Sequence, residues 1–189
     1  MPAASSDYSR IWRKLAQMNR LANHRLHTAC AALPPTDYAA PRSGFFPSIR
    51  ATLNHILLVD RFYINAMQGH RIDRTALNDA RGLAALEDLV ARQADCDAQL
   101  MALVVALTTD DLSRVVVVDR GDREQHDRMD DLLSHLFQHQ THHRGQVHAM
   151  LSSTDVAPPQ LDEFLVGDDG LARAGDLEAL GWTEADLMR

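Results

Sequence analysis

Between Met129 and Ser152 the apolar residues Met129, Leu132, Leu133, Leu136, Val147, Met150 and Leu151 recur at helical steps and gather on one broad arc. The stretch predicts a long amphipathic helix and places the chain in an all-α architecture. Four of the ten histidines fall within nine consecutive residues of it, His135, His139, His142 and His143. His139 and His143 lie on the interior flank of the arc, while His135 and His142 point outward, toward solvent or the rim of a cleft.

Histidines at i and i+4 stack one turn apart, so both imidazoles can reach one ion, the geometry of helical H-x-x-x-H pairs that bind divalent metals. Two such pairs overlap here, His135/His139 and His139/His143. Spacing alone leaves a metal site and an ordinary polar helix both open. The interior facing of His139 and His143 favours a site, because a buried imidazole needs a partner for each nitrogen.

The chain has 189 residues, 46% hydrophobic and 24% charged, enough for one full core. A net charge of −7 and the lack of a Lys/Arg cluster argue against nucleic acid as a partner. Apolar runs are too short and interrupted to span a membrane. Met1–Asp7 has no charged-then-apolar leader pattern, and Cys30 and Cys96 have no paired spacing. The expectation is a cytoplasmic protein with two free thiols acting as small hydrophobes.

A first helix is expected from about Asp7 to Leu33, on the repeat Tyr8, Ile11, Leu15, Met18, Ala22, Leu26 and Ala29, stopped by Pro34-Pro35. The connection 36–46 carries Phe45 and Phe46, expected to plug the end of the helical core, with a role in holding a ligand as the alternative. A second helix follows from about Pro47, suited to a first turn, to Gly69, suited to the stop. On its apolar arc, with Leu53, Ile56, Val59, Tyr63 and Met67, stand His55 and Asp60. For His55 alone a hydrogen-bonded core histidine is the ordinary reading, and for Asp60 a structural ion pair. Such breaks in the binary pattern are nonetheless where function or a buried polar network is expected. Arg144 also projects inward, which predicts a buried Asp60–Arg144 pair orienting the His-rich helix.

Arg71–Gly82 reads as a polar connection. A third helix spans about Leu83–Leu107, with Glu87, Asp88, Asp95 and Asp97 forming a solvated acidic face. Val115–Val118 is β-branched throughout, and Arg120-Gly121-Asp122 supplies a turn before 123–128, so a short hairpin is expected ahead of the His-rich helix. His126 on it is expected to be exposed. Residues 154–189 form an acidic tail with few large apolar residues, too few for its own core. It is expected to pack on residues 1–153 or on a partner subunit, and Thr183–Asp186 reads as a helix N-terminus.

The two motifs Phe45-Phe46-Pro47-Ser48-Ile49-Arg50-Ala51-Thr52-Leu53-Asn54-His55-Ile56 and His135-Leu136-Phe137-Gln138-His139-Gln140-Thr141-His142-His143-Arg144-Gly145-Gln146 resemble those of the DinB/YfiT-like family of metalloenzymes. The likeness covers roughly residues 7–153. It implies a four-helix bundle of up-down-down-up connectivity, often dimeric, with a metal held by one histidine of the second helix and two of the last. Carried over by position, these are His55, His139 and His143.

Three neutral imidazoles leave a coordination position for water or thiol, whose pKa the ion would lower. Zinc or nickel suits such a set, and copper and iron are compatible with it. Relatives implied by the resemblance include transferases and isomerases that use a low-molecular-weight thiol. The leading expectation is therefore a metal-dependent enzyme, transferase, isomerase or hydrolase, acting on a small molecule as a homodimer. Gln140, Arg144 and Asp60 would stand behind the ligands, and His135 or His142 would move protons at the rim. The alternative is a non-catalytic, stress-related metal-binding protein.

Overall fold

A computed structural model describes residues 9–70 and 83–188. The start of the first helix at Asp7 and Tyr8, the leader reading of Met1–Asp7 and the polar connection 71–82 lie outside the described residues.

The chain is mostly helical. Four long helices, α1 (Arg10–Ala31), α3 (Ile49–Met67), α4 (Leu86–Ala106) and α6 (Met129–Leu151), are joined by the short helices α2 (Pro35–Ala39) and α5 (Thr109–Leu112) and by a hairpin, β1 (Val115–Asp119) and β2 (Glu124–Arg128). Helices α1 and α3 each pack on both α4 and α6. Leu53, Ile56 and Leu57 of α3, Leu89 and Leu100 of α4, and Leu132, Leu133, Leu136 and Val147 of α6 are buried together between them. Not every position of the expected stripes goes inward: Ile11 of α1 is exposed.

The helix ends follow local chemistry. Ser48 caps α3, its hydroxyl accepting the Ala51 N–H at 3.1 Å, so Pro47 stands before the cap rather than in the first turn. A serine oxygen satisfies an orphan N–H that a proline cannot. Gly69, at φ 77°, follows the helix in the left-handed conformation expected of its stop. Pro34-Pro35 ends α1 as expected, but Pro35 also opens α2, where its fixed φ suits the first helical position. The hairpin is antiparallel, with Val117 opposite His126. Val116 and Val118 face the core while Val115, Val117 and His126 are exposed.

At the centre lies a polar network drawn from all four long helices. Asp97 of α4 accepts from Asn19 (3.1 Å) and Asn23 (3.0 Å) of α1 and from Gln93 (3.1 Å), and Gln93 also donates to Asp60 of α3 (2.8 Å). Arg144 of α6 donates to the side-chain oxygens of Asn19 and Asn23. Two expectations are corrected here. Asp97 is 1% exposed, not part of a solvated face. Asp60 and Arg144 are both buried, but Arg144 turns to the α1 asparagines, and its link to Asp60 runs through Asp97 and Gln93. The period of α6 predicts that Arg144 faces inward, but not which neighbour meets it.

Beyond Ser153 the chain folds back along α1. Phe164, Leu177 of α7 (Gly170–Leu180) and Leu187 of α8 (Glu184–Met188) cluster with Leu21 and Ala22. Arg25 of α1 pairs with Asp176 at 2.7 Å and stacks on Phe164. Arg173, fully buried, grips Glu184 with two hydrogen bonds of 2.9 and 2.7 Å. Thr183 and Asp186 cap α8 reciprocally, as the residues there predict.

Candidate metal centre

Helix α3 brings His55 to face α6, which answers with His139 and His143 on successive turns of its inward side. The Nε2 atoms of His55 and His139 are 3.0 Å apart. One ligand atom from each of the three rings lies within 4.8 Å of the others, and ring centroids are separated by 4.9, 4.6 and 4.3 Å. Among the described residues this is the cluster of His, Cys, Asp or Glu side chains able to hold an ion. His143 is buried, and His55 and His139 are half-buried.

Burial keeps these rings neutral. It lowers His55 to about 4, with help from His143, and His139 to about 3, with help from His143, His55, His135 and His142. His143 is lowered by burial as well, against the raising pull of Gln146. Neutral imidazoles keep the lone pair that a cation needs. Nitrogens bound tetrahedrally at zinc distances stand about 3.3 Å apart, so the His55–His139 spacing fits an ion bound between them after a small adjustment.

Gln146, one turn beyond His143, fixes two tautomers at once. Its Oε1 lies 2.7 Å from His143 Nδ1 and its Nε2 lies 3.1 Å from His142 Nε2. The amide therefore accepts from His143 Nδ1–H and donates to His142, which leaves His143 Nε2 as the free donor atom. Metal-binding histidines are commonly oriented this way through their other nitrogen. Gln146 lies within the second motif, where no role is expected of it from the sequence; its i+3 spacing from His143 is the signal that could reveal one. His139 Nδ1 and the whole amide of Gln140 are buried with no hydrogen-bond partner, so the expectation of a partner for each buried ring nitrogen is not met at His139.

The rim and the surroundings are also defined. His135 is exposed, its ring 5.1 Å from Tyr63 and 6.2 Å from His139, and His142 is exposed beside His143. Asp60, Gln140 and Arg144 are all buried. Arg144 and Gln140 follow the ligand candidates directly in the chain, so the grip of Asn19 and Asn23 on Arg144 sets the rotation of α6 that aims His143 inward. Burial and the neighbouring Asp97 push Asp60 up to about 7, against the Gln93 hydrogen bond and the Arg144 charge. Phe45 and Phe46 do not plug the core as expected. Phe45 is 81% exposed, and Phe46 lies against the candidate ligands, 4.3 Å from His55 and 5.5 Å from His143. The loop carrying them is held over the α3–α6 face instead of entering it.

A mostly helical protein with one antiparallel hairpin and three neutral imidazoles facing each other across two long helices belongs to the class of candidate metal binders. The DinB family model matches residues 4–168, and the chain belongs to that family. The match runs past the end of the resemblance read from the two motifs. Protein DinB of Bacillus subtilis (strain 168) is 25% identical over 158 residues, covering 79% of this chain and 89% of its own length. Among the described residues no helix is long and apolar enough to cross a membrane.

Proposed function

We propose that the protein is a metal-dependent enzyme that uses His55, His139 and His143 to hold a divalent ion, zinc or nickel, and activates a small thiol, or water, for transfer, isomerisation or hydrolysis. The observation that carries this reading is the approach of His55 Nε2 to His139 Nε2 with both rings held neutral. Three imidazoles are one ligand fewer than a closed structural site provides, and catalytic sites keep that position for a reactant. The ion would supply Lewis acidity toward a thiol or water. Gln146 keeps the lone pair of His143 turned inward, and the buried Arg144 network holds α6 in the required rotation. In this reading His135 or His142, both exposed at the rim, would accept the proton a thiol releases.

The pairwise packing of α1, α3, α4 and α6 supports an up-down-down-up four-helix bundle as the scaffold. The two buried free thiols suit a reducing cytoplasm, and a homodimer completes the reading. Metal-loaded protein should consume a thiol–electrophile pair faster than the His139→Ala variant. Equal rates would remove the thiol-transfer reading and leave metal binding standing.

A further inference from the structure

We propose that Phe45 and Phe46 form the apolar wall of a ligand pocket over the three histidines, so that the molecule brought to the ion carries an aromatic or other flat apolar group. This inference rests on the metal reading of the site. Phe46 covers the rings of His55 and His143, and Phe45 meets it edge-on, with centroids 5.0 Å apart and planes at 82°. A single exposed apolar side chain is ordinary on a protein surface. Phe45 differs because it continues an aromatic face that already touches two candidate ligands.

The loop that presents these rings is held at several points. The Arg42 N–H donates to the Pro47 carbonyl at 2.8 Å, and the Arg42 guanidinium donates to Ser153 Oγ at 2.9 Å and to the Asp37 carbonyl at 3.1 Å. Gly44 packs closely on α6: a Cβ there would lie 2.6 Å from Cε at the end of the flexible Met150 side chain and 3.2 Å from the Phe46 carbonyl oxygen, so a larger residue would have to displace that methyl. Fixing a phenylalanine in water brings no burial within this chain, whereas a flat apolar ligand seated on it would cover both. At the other end of the same α3–α6 face stand Tyr63, His135 and Arg120, the last donating to the Tyr63 hydroxyl at 2.8 Å. Polar groups gather there, which directs the apolar part of a ligand to the Phe45 end.

The test is a visible-absorption titration of the full chain loaded with cobalt(II), using phenylmethanethiol and 2-mercaptoethanol. These thiols have similar acidity and differ in the group behind the sulfur. Phenylmethanethiol should bind about tenfold more tightly, the scale of one aromatic pairing. Phe45→Ser, a change at an exposed position, should bring the two affinities within about twofold of each other. Equal affinities in the unaltered chain, or a preference that survives both Phe45→Ser and Phe46→Ser, would overturn the wall while the metal site stands. A preference unchanged by Phe45→Ser together with a shift from dimer to monomer would overturn it too, making Phe45 an interface residue. A chain that takes up no cobalt overturns the metal reading, and this inference with it.

Discussion

The Nε2 atoms of His55 and His139 stand 3.0 Å apart although 84 positions separate the two residues. Two neutral imidazoles so close must share a proton or turn both lone pairs on a cation. His55→Ala and His139→Ala are each expected to weaken zinc binding beyond the roughly 10–100-fold that an outer hydrogen-bond partner is worth. Competition against a chromogenic chelator measures this, and unchanged affinity in either variant would refute the three-histidine site.

Gln146 touches the site only through His143 and His142. Gln146→Ala should lower metal affinity by about 10–100-fold while leaving the stability of the metal-free chain within about 0.5 kcal/mol. Gln146→Glu, which keeps an acceptor for His143 Nδ1–H, should recover part of the loss. A variant with lower stability and unaltered affinity would make Gln146 merely structural.

His27 and Asp60 titrate in opposite senses. Burial, with Arg20, Arg144 and His24, lowers His27 from 6.5 to about 3. Below pH 6.5 the unfolded chain therefore takes up a proton that the folded chain refuses, and stability falls as the pH drops. Asp60, raised from 3.8 to about 7, keeps a proton that the unfolded chain releases, so its contribution falls as the pH rises through that window. His27→Gln should reduce the excess of stability at pH 7 over pH 5 by about 2 kcal/mol, and Asp60→Asn should increase it by a similar amount. Urea denaturation at the two pH values measures both, and shifts of the same sign would contradict the assignment.

Asp97 and Asp60 share the Gln93 amide but have different neighbours. Asp97 takes hydrogen bonds from both asparagines that hold Arg144, and it also meets Arg20 at 3.5 Å. Burial raises Asp97 as well, against Gln93, Asn23, Arg20 and Arg144, but Asp97→Ala leaves the buried amides of Asn19, Asn23 and Gln93 without their shared acceptor and should cost about 2–3 kcal/mol. Asp60→Asn, at a carboxyl already pushed toward its neutral form, should stay within about 1 kcal/mol at pH 7. Comparable losses in the two variants would show that the charge is shared differently.

Much of this was legible before any coordinates. The period of 129–152 gives α6 and its inward face, the valine run before Arg120-Gly121-Asp122 gives the hairpin, and His55 and Asp60 stand out as polar breaks on an apolar arc. The two motifs led to His55, His139 and His143. What failed to read was of another kind. Asp97 sits among exposed acidic residues in sequence, and its burial depends on where α1 crosses α4. Arg144 reads as inward, yet its partners lie more than 120 positions away. Arg173 gave no signal at all for a fully buried side chain.

The sequence by itself determined where the four long helices lie, the broad apolar face of each, and that histidines stand on two of those faces, because these are periodic properties set within a few turns of backbone. Only the tertiary structure decided that His55 meets His139 and His143, that Phe46 lies against His55 and His143, and that Arg144 turns to α1 instead of Asp60. Those contacts depend on the relative rotation and translation of whole helices, which are fixed by how all the side chains between them pack together.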